Sequence, residues 1–486
     1  MITKFIRRLL GARKSPTEGE KGRARAIKPA RVGPEVHGID PKLVSSNAIR
    51  VTKTLQEAGH LAFIVGGAVR DLMLGVKPKD FDVATDATPE QVQGAFRRAR
   101  IIGRRFRLVH VMFGNDTIEV STFRSNQPAD AETDVHGRVV RDNVFGSQED
   151  DATRRDFTVN ALYYDPATQS VIDYHHGVKD IRSKTLRIIG DPVRRFTEDP
   201  VRMLRAVRLA GKLGFEIEAA TRAPIAKLAP LMQNVPAARL FDEMLKLLLS
   251  GHALECLRRL RAEGLHHGLL PLLDVVFEQP LGERFVTLAL QSTDERIRLG
   301  KPTSPSFLFS CLLWHEVLKA WEENKASGEY PIPALGRAMD RVLDNQTESL
   351  AIQRRFVADM REIWGLQPRL ERRTGRSPHR LLEHLRFRAG YDFLLLRCEA
   401  GECDAELGQW WTNFIAADGP GREALQTLPA SQSAPGAAKR KRRRRKRPAD
   451  AGTESGERSP GADPHSDAAE AKPRRAKAGA DTDGEA

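Results

Sequence analysis

Two stretches of this 486-residue chain carry residues suited to phosphate chemistry: VGGAVRDLMLG at 65–75 and KDFDVAT at 79–85. Gly66 and Gly67 follow the apolar run FIV and remove two Cβ atoms where the chain turns into a helix. Backbone N–H groups can then approach a phosphate closely, and the helix start adds a favourable dipole. Arg70, one turn on, carries a guanidinium able to reach the same phosphates. Asp80 and Asp82 flank Phe81. In extended chain, residues two apart project to one face, so the two carboxylates point together while Phe81 faces the core. Adjacent like charges call for a cation. Magnesium, which bridges carboxylates to phosphate oxygens, suits the pair. Two such ions would activate an attacking hydroxyl and steady a departing pyrophosphate. In TIEVSTFR, Glu119 and Ser121 share a face opposite Ile118 and Val120, which makes Glu119 a candidate third carboxylate.

These residues need a frame. An amphipathic helix is expected from Ser46 to Gly59, with strands at Leu61–Val65, Asp80–Ala84, Leu108–Phe113 and Thr117–Phe123. That is a mixed α/β domain closing near residue 187. Beyond Pro192 the segments VRMLRAVRLAGKLGF, ARLFDEMLKLLLSG and ALECLRRLRAEG place apolar residues three and four apart, so about 190 to 425 reads as helical. The chain therefore divides into a basic leader and linker (1–45), a catalytic head (46–187), a helical neck with the expected base-recognition helix (188–250), a helical body expected to bind RNA (251–428) and an arginine-rich tail (429–486).

Net charge is +14, which selects a polyanion as partner, nucleic acid or anionic membrane. No apolar run reaches 18 residues, so no spanning helix is expected. Cys256, Cys311, Cys398 and Cys403 are too scattered for a disulfide framework and fit buried thiols in a reducing, cytoplasmic setting. MITKFIRRLLGARK interleaves apolar residues with arginines. Residues 1–14 are thus either a frayed basic terminus or a segment that touches a membrane surface or RNA. From about Ala430 the chain is Ala, Gly, Ser, Pro and charge, a composition that stays disordered. Inside it lies an unbroken basic run, Lys439, Arg440, Lys441, Arg442, Arg443, Arg444, Arg445, Lys446 and Arg447, a strong sequence-independent phosphate binder.

In order, GGAVRDLMLG, PKDFDVAT, IEVSTFR, RRDFTVNAL and EDPVRMLRAVR resemble the class II nucleotidyltransferases of the polymerase-β-like superfamily. That group comprises bacterial poly(A) polymerases and class II CCA-adding enzymes. The resemblance implies an α/β nucleotidyltransferase head with a mixed sheet, an all-α neck and body, and a disordered basic C-terminal tail. It maps the catalytic metals to Asp80 and Asp82 and places Arg154, Arg155, Asp156 and Asn160 near the nucleotide. Asp156 acts with the metal pair or orients Arg154, so Glu119 and Asp156 both stand as the third carboxylate.

A helix opened by EDPVR is expected to carry Glu198, Asp199 and Arg202, with Arg205 on the same stripe, and by the same resemblance Asp199 and Arg202 read the incoming base. A carboxylate accepts from an exocyclic amine and a guanidinium donates to the neighbouring ring nitrogen. Adenine and cytosine present that order, whereas guanine and uracil reverse it. Choosing between A and C needs more. IIGRRFRLVHV, with Arg104, Arg105 and Arg107 beside the active-site strands, looks like the segment that marks the poly(A) polymerases. LLEHLRFRAGYDFLLLR and the arginine-rich tail agree with that group. The expectation is a magnesium-dependent, template-independent adenylyltransferase that takes ATP and extends RNA 3′ ends, with RNA-degradation machinery as a further partner. A CCA-adding enzyme and a non-catalytic RNA-binding protein on the same scaffold are the rivals.

Overall fold

In the computed structural model, the residues described are 28–103, 107–125, 132–133, 139–141, 144–265, 280–349 and 352–427. The leader at residues 1–14, Arg104, Arg105 and the run Lys439–Arg447 lie outside them. The chain divides into two units, Met1–Leu428 and Pro429–Ala486.

In chain order the strands are β1 (Ala30–Val32), β2 (Ala62–Val65), β3 (Asp82–Thr85), β4 (Ala99–Ile102), β5 (Leu108–Phe113), β6 (Asp116–Thr122), β7 (Glu132–Thr133), β8 (Val139–Arg141), β9 (Leu162–Asp165) and β10 (Ser170–Asp173). Eight form one sheet, ordered β1-β10-β9-β2-β3-β6-β5-β4, β7 and β8 pair as a separate ribbon, and two further short strands, Thr185–Leu186 and Glu216–Ile217, pair in parallel. Within the large sheet only β3 and β6 run parallel, so the sheet is mixed.

Strand alternation sorts the side chains of AFIV onto two faces. Ala62 and Ile64 join Val83, Ile118 and Val120 in the main core, under helix α1 (Ser46–Glu57) and helix α2 (Gly67–Met73). Phe63 and Val65 join Ala84, Phe123, Ala152 and Tyr163 in a smaller cluster on the other face. Burial on both faces explains why this strand is a continuous apolar run.

Two expectations shift. Ala30–Val32, read from its composition as linker, is an edge strand paired to β10. A three-residue edge strand with a Pro two positions later leaves almost no periodic signal. The strand predicted from Asp80 begins at Asp82, with Asp80 and Phe81 leading into it. Phe81 is buried in the main core, as its place between the aspartates requires.

Past the sheet the described chain is almost wholly helical. Helix α3 (Gln148–Arg154) lies before β9, and beyond β10 the chain runs through helix α4 (Pro192–Glu198), helix α5 (Val201–Leu213) and helix α6 (Ala237–Leu248), then a body of longer helices. No described helix is long and apolar enough to cross a membrane.

Candidate active site

The parallel register of β3 and β6 sets Asp82 opposite Glu119, and antiparallel pairing sets Asp82 opposite Val65 on β2. Asp82 and Glu119 therefore share the face that carries Tyr163 and Phe123. Burial, then Glu119 and Asp80, push the Asp82 carboxyl up to about 6, against the pull of Arg155. Asp82 nevertheless opens to solvent, as does Asp80. Crowded by protein at its root and by like charge at its tip, it sits where a cation would be welcome.

Among the described residues, no three His, Cys, Asp or Glu side chains are grouped as a metal-holding set. Glu119 leans toward β5, where His110 Nε2 lies 3.6 Å away, and its charge raises Asp82. Two carboxylates are still the usual protein share of a magnesium site completed by substrate phosphates and water.

The turn into α2 depends on glycine. Gly66 adopts φ 73°, ψ −132°, a backbone conformation closed to L side chains. A Cβ there would stand 3.3 Å from Arg155 Nη1, and one at Gly67 would stand 3.4 Å from Arg70 Nη2. The space these glycines leave is taken up by guanidinium groups. Buried Arg70 donates to Asp71 Oδ1 (2.8 and 2.6 Å) and to Asn160 Oδ1 (2.5 Å), tying α2 to the RRDFTVN segment.

That segment is organised by a residue the sequence reading missed. Asp151, on α3, accepts from Arg154 (2.9 and 3.1 Å), from Arg155 (3.0 and 3.2 Å) and from Tyr163 Oη (2.7 Å). Burial raises its pKa, but the two arginines win and hold it near 2. Its position three and four residues ahead of two arginines is the helical spacing for ion pairs, a signal present in the sequence. Asp156 does not orient Arg154, because Asp151 does. Asp156 instead takes Arg205 at 2.9 and 2.6 Å, accepts from Asn160 Nδ2 (3.1 Å) and from Phe157 N (2.8 Å). Burial raises it, and these partners bring it down to about 2.

Expected on one helix, Glu198, Asp199 and Arg202 are divided. Glu198 closes α4, Asp199 is extended (φ −146°, ψ 94°), and α5 begins after Pro200. Proline disfavours helical backbone in the residue before it, which makes Asp199 a joint. No ion pair links Asp199 to Arg202. Asp199 Oδ2 accepts from Arg239 of α6 at 2.9 Å, and its Oδ1 is buried with no partner. Arg202 donates through Nη1 to Arg195 O (2.8 Å) and Glu198 Oε2 (3.4 Å).

Arg195, another residue not singled out from sequence, caps the carbonyls of Arg154 and Arg155 at 2.6 Å each. Its Nε is buried and unpartnered, and burial together with Arg202 presses its pKa down to about 10 against Glu198. Arg205, Arg208 and Lys246 gather on Glu243 of α6, stitching neck to head through Asp156. Arg107 pairs with Glu90 at 2.5 Å.

Family models match residues 62–187 as the poly A polymerase head domain, 214–277 as "Probable RNA and SrmB- binding site of polymerase A", and 327–448 as the polymerase A arginine-rich C-terminus. Poly(A) polymerase I of Haemophilus influenzae is 47% identical over 398 residues, covering 80% of this chain and 88% of that one. The chain belongs to the poly(A) polymerase family. Poly(A) polymerase I of Escherichia coli O6:H1 is 43% identical over 460 residues, 92% of this chain and 97% of that one. Among solved structures, a Bacillus stearothermophilus CCA-adding enzyme in complex with CTP is similar at TM-score 0.51 and 26% identity, covering 78% of this chain and 80% of that chain. Family membership makes this chain a nucleotidyltransferase, and its likeness to CCA-adding enzymes is the more distant one.

Proposed function

We propose that this chain transfers AMP from ATP to RNA 3′ ends without a template, releasing pyrophosphate, and does so in the cytoplasm. In that reaction the terminal 3′ oxygen bonds to the α-phosphorus, the bond to the β-phosphate oxygen breaks, and the hydroxyl proton leaves to solvent. Asp80 and Asp82 would hold the magnesium, which suits the chemistry of the pair: two solvent-facing carboxylates, one with its pKa pushed up to about 6 by burial and by its acidic neighbours. Bound there, the metal supplies charge neutralisation for the triphosphate and lowers the pKa of the attacking hydroxyl. The chain's own share is positioning and electrostatics. Asp151 fixes Arg154 and Arg155 on the Asp82 face, and Arg70 fixes the glycine turn, so positive charge surrounds the place where phosphates would lie.

The observation that carries the preference for adenine and cytosine over guanine and uracil is the buried, unpartnered Oδ1 of Asp199; the choice of ATP over CTP rests on the kinship with poly(A) polymerases. Arg239 holds the other oxygen, so the free one is aimed and waiting for a donor. The N6 amine of adenine is such a donor, and Arg202 keeps Nε and Nη2 for the adjoining ring nitrogen. Guanine and uracil put an acceptor against Oδ1 and leave it unsatisfied, a penalty worth orders of magnitude in selectivity.

The test is incorporation of each NTP, separately, on a generic RNA and on a tRNA lacking its 3′ end. Long A tracts on the generic RNA, lost in Asp80→Ala and in Asp82→Ala while RNA binding persists, are the expected result. Turnover retained in both variants, or C added to the tRNA, refutes it.

A further inference from the structure

The body holds a second concentration of positive charge, away from the nucleotide site. Arg369 closes the last turn of helix α7 (Arg354–Leu370), Arg372 and Arg373 follow in the turn, and Arg376 and Arg380 flank and enter the short helix Ser377–Leu382. Four of the five are exposed and Arg373 is half-buried. Among the described residues, none of the five makes a side-chain hydrogen bond or an ion pair, in a protein whose other arginines are mostly paired. The one carboxylate inside the stretch, Glu371, faces Arg397 at 3.7 Å instead.

Cations often collect at a helix C-terminus because the last carbonyls attract them. Here three of the last four carbonyls are already occupied. Leu370 O accepts from Trp411 Nε1 (2.7 Å), Gln367 O from Glu371 N (3.3 Å) and Arg369 O from Arg372 N (3.2 Å). The arginines therefore repel one another without local compensation. They are also rigidly presented. Leu370, Leu381, Trp411 and Phe414 form a compact apolar cluster beneath the turn, and His379 stacks edge-on against Phe414 at 5.2 Å. Finally, Gln426 of the helix Gly419–Thr427 donates to Gly375 O at 2.9 Å, so the described chain ends against this same turn. Only twelve positions beyond Thr427 the sequence begins its run Lys439–Arg447.

We propose that Arg369, Arg372, Arg373, Arg376 and Arg380 form a docking surface for the sugar-phosphate backbone of single-stranded RNA. The guanidinium fork matches phosphate oxygens in pairs, and a cluster with no acidic partner gains most from a polyanion. Contacts to backbone alone suit a protein that must hold RNA of any sequence. This rests on the proposed action on RNA but makes a separate claim, that the body itself grips the strand.

The experiment uses the full chain and a fluorescent single-stranded oligo(A), with binding read by anisotropy from low to moderate salt. In one variant Arg372, Arg373, Arg376 and Arg380 all become Gln; in a matched variant all four become Lys. Each lost phosphate contact lowers the log–log salt slope by about 0.7, so the Gln variant should lose about 2 to 3 from the slope. Its affinity at low salt should fall at least about tenfold, while the Lys variant keeps most of both. Should the fourfold Gln change unfold the chain, Arg372→Gln with Arg376→Gln should still remove about half that slope. An unchanged slope in the Gln variant overturns the proposal and leaves the patch to an acidic protein partner or to solvent. Equal loss in the Lys variant overturns it as well, since charge would not be the operative property. Binding requires no turnover, so failure to add AMP with the slope intact would count against the catalytic proposal alone.

Discussion

Replacing Asp199 with Asn tests the base-reading arrangement most directly. Asp199 Oδ1 is buried and accepts nothing, while Oδ2 accepts from Arg239 at 2.9 Å. The Asn amide must give one of these positions an NH2 group. Arg239 cannot accept a hydrogen bond, so the amide oxygen turns toward it and the NH2 faces the base. An adenine N6 amine would then meet a donor. Losing a hydrogen bond from an ionised acceptor and leaving a buried donor unmatched costs about 1.5–3 kcal/mol. The weakened Arg239 contact, 39% exposed on the arginine side, adds less than about 1 kcal/mol. At about 1.4 kcal/mol per decade, kcat/KM for ATP should fall between about tenfold and about 500-fold. GTP, which offers an acceptor there, should gain relative to ATP. Single-nucleotide addition to a labelled RNA, measured with each NTP across a concentration series, gives both quantities. The thermal midpoint should move little. If Asp199→Asn left kcat/KM for ATP and the ATP-to-GTP preference unchanged, the assignment of Oδ1 to the base would be wrong.

Three further outcomes follow from the same geometry. Because the Asp82 carboxyl sits at about 6, protons compete with metal below that value and withdraw above it; Mn2+ binding followed by EPR should weaken as pH falls through 6, and Asp82→Asn should abolish that dependence. Asp151 is lowered to about 2 in the fold from an ordinary value of 3.8. Its contribution, roughly 2–3 kcal/mol, is therefore complete above the unfolded pKa and lost as pH falls from about 4 through about 2; urea midpoints against pH should show the drop, and Asp151→Asn should lack it. Gly66→Ala should destabilise the fold by about 1–3 kcal/mol, since φ 73° with ψ −132° admits no Cβ; an unchanged urea midpoint would refute the strain.

Much of this site was legible in the sequence because its periods are short. Alternation put Asp80 with Asp82 about Phe81 and Glu119 with Ser121 along Thr117–Phe123, and the register of β3 with β6 then sets Asp82 opposite Glu119. Helical spacing beyond Pro192 gave the neck. What escaped was whatever depends on partners distant in sequence. Nothing local says that Arg239 reaches Asp199 forty residues earlier, or that Arg205 takes Asp156 and leaves Arg154 to Asp151. The break at Asp199 was readable in principle, from the proline after it, but the apolar period running on through Val201 masked it. β1 escaped for a different reason: three residues cannot display a period.

The clasp that joins Arg205 to Asp156 and Glu243 has a mechanical meaning. Swinging α5 away from the sheet would strand a desolvated carboxylate, at about 3–5 kcal/mol. A swivelled arrangement would then hold fewer than about one molecule in a hundred. The span from the proposed base-reading joint at Asp199 to the paired aspartates is thus nearly constant from one cycle to the next, which befits a catalyst that writes a single repeated character.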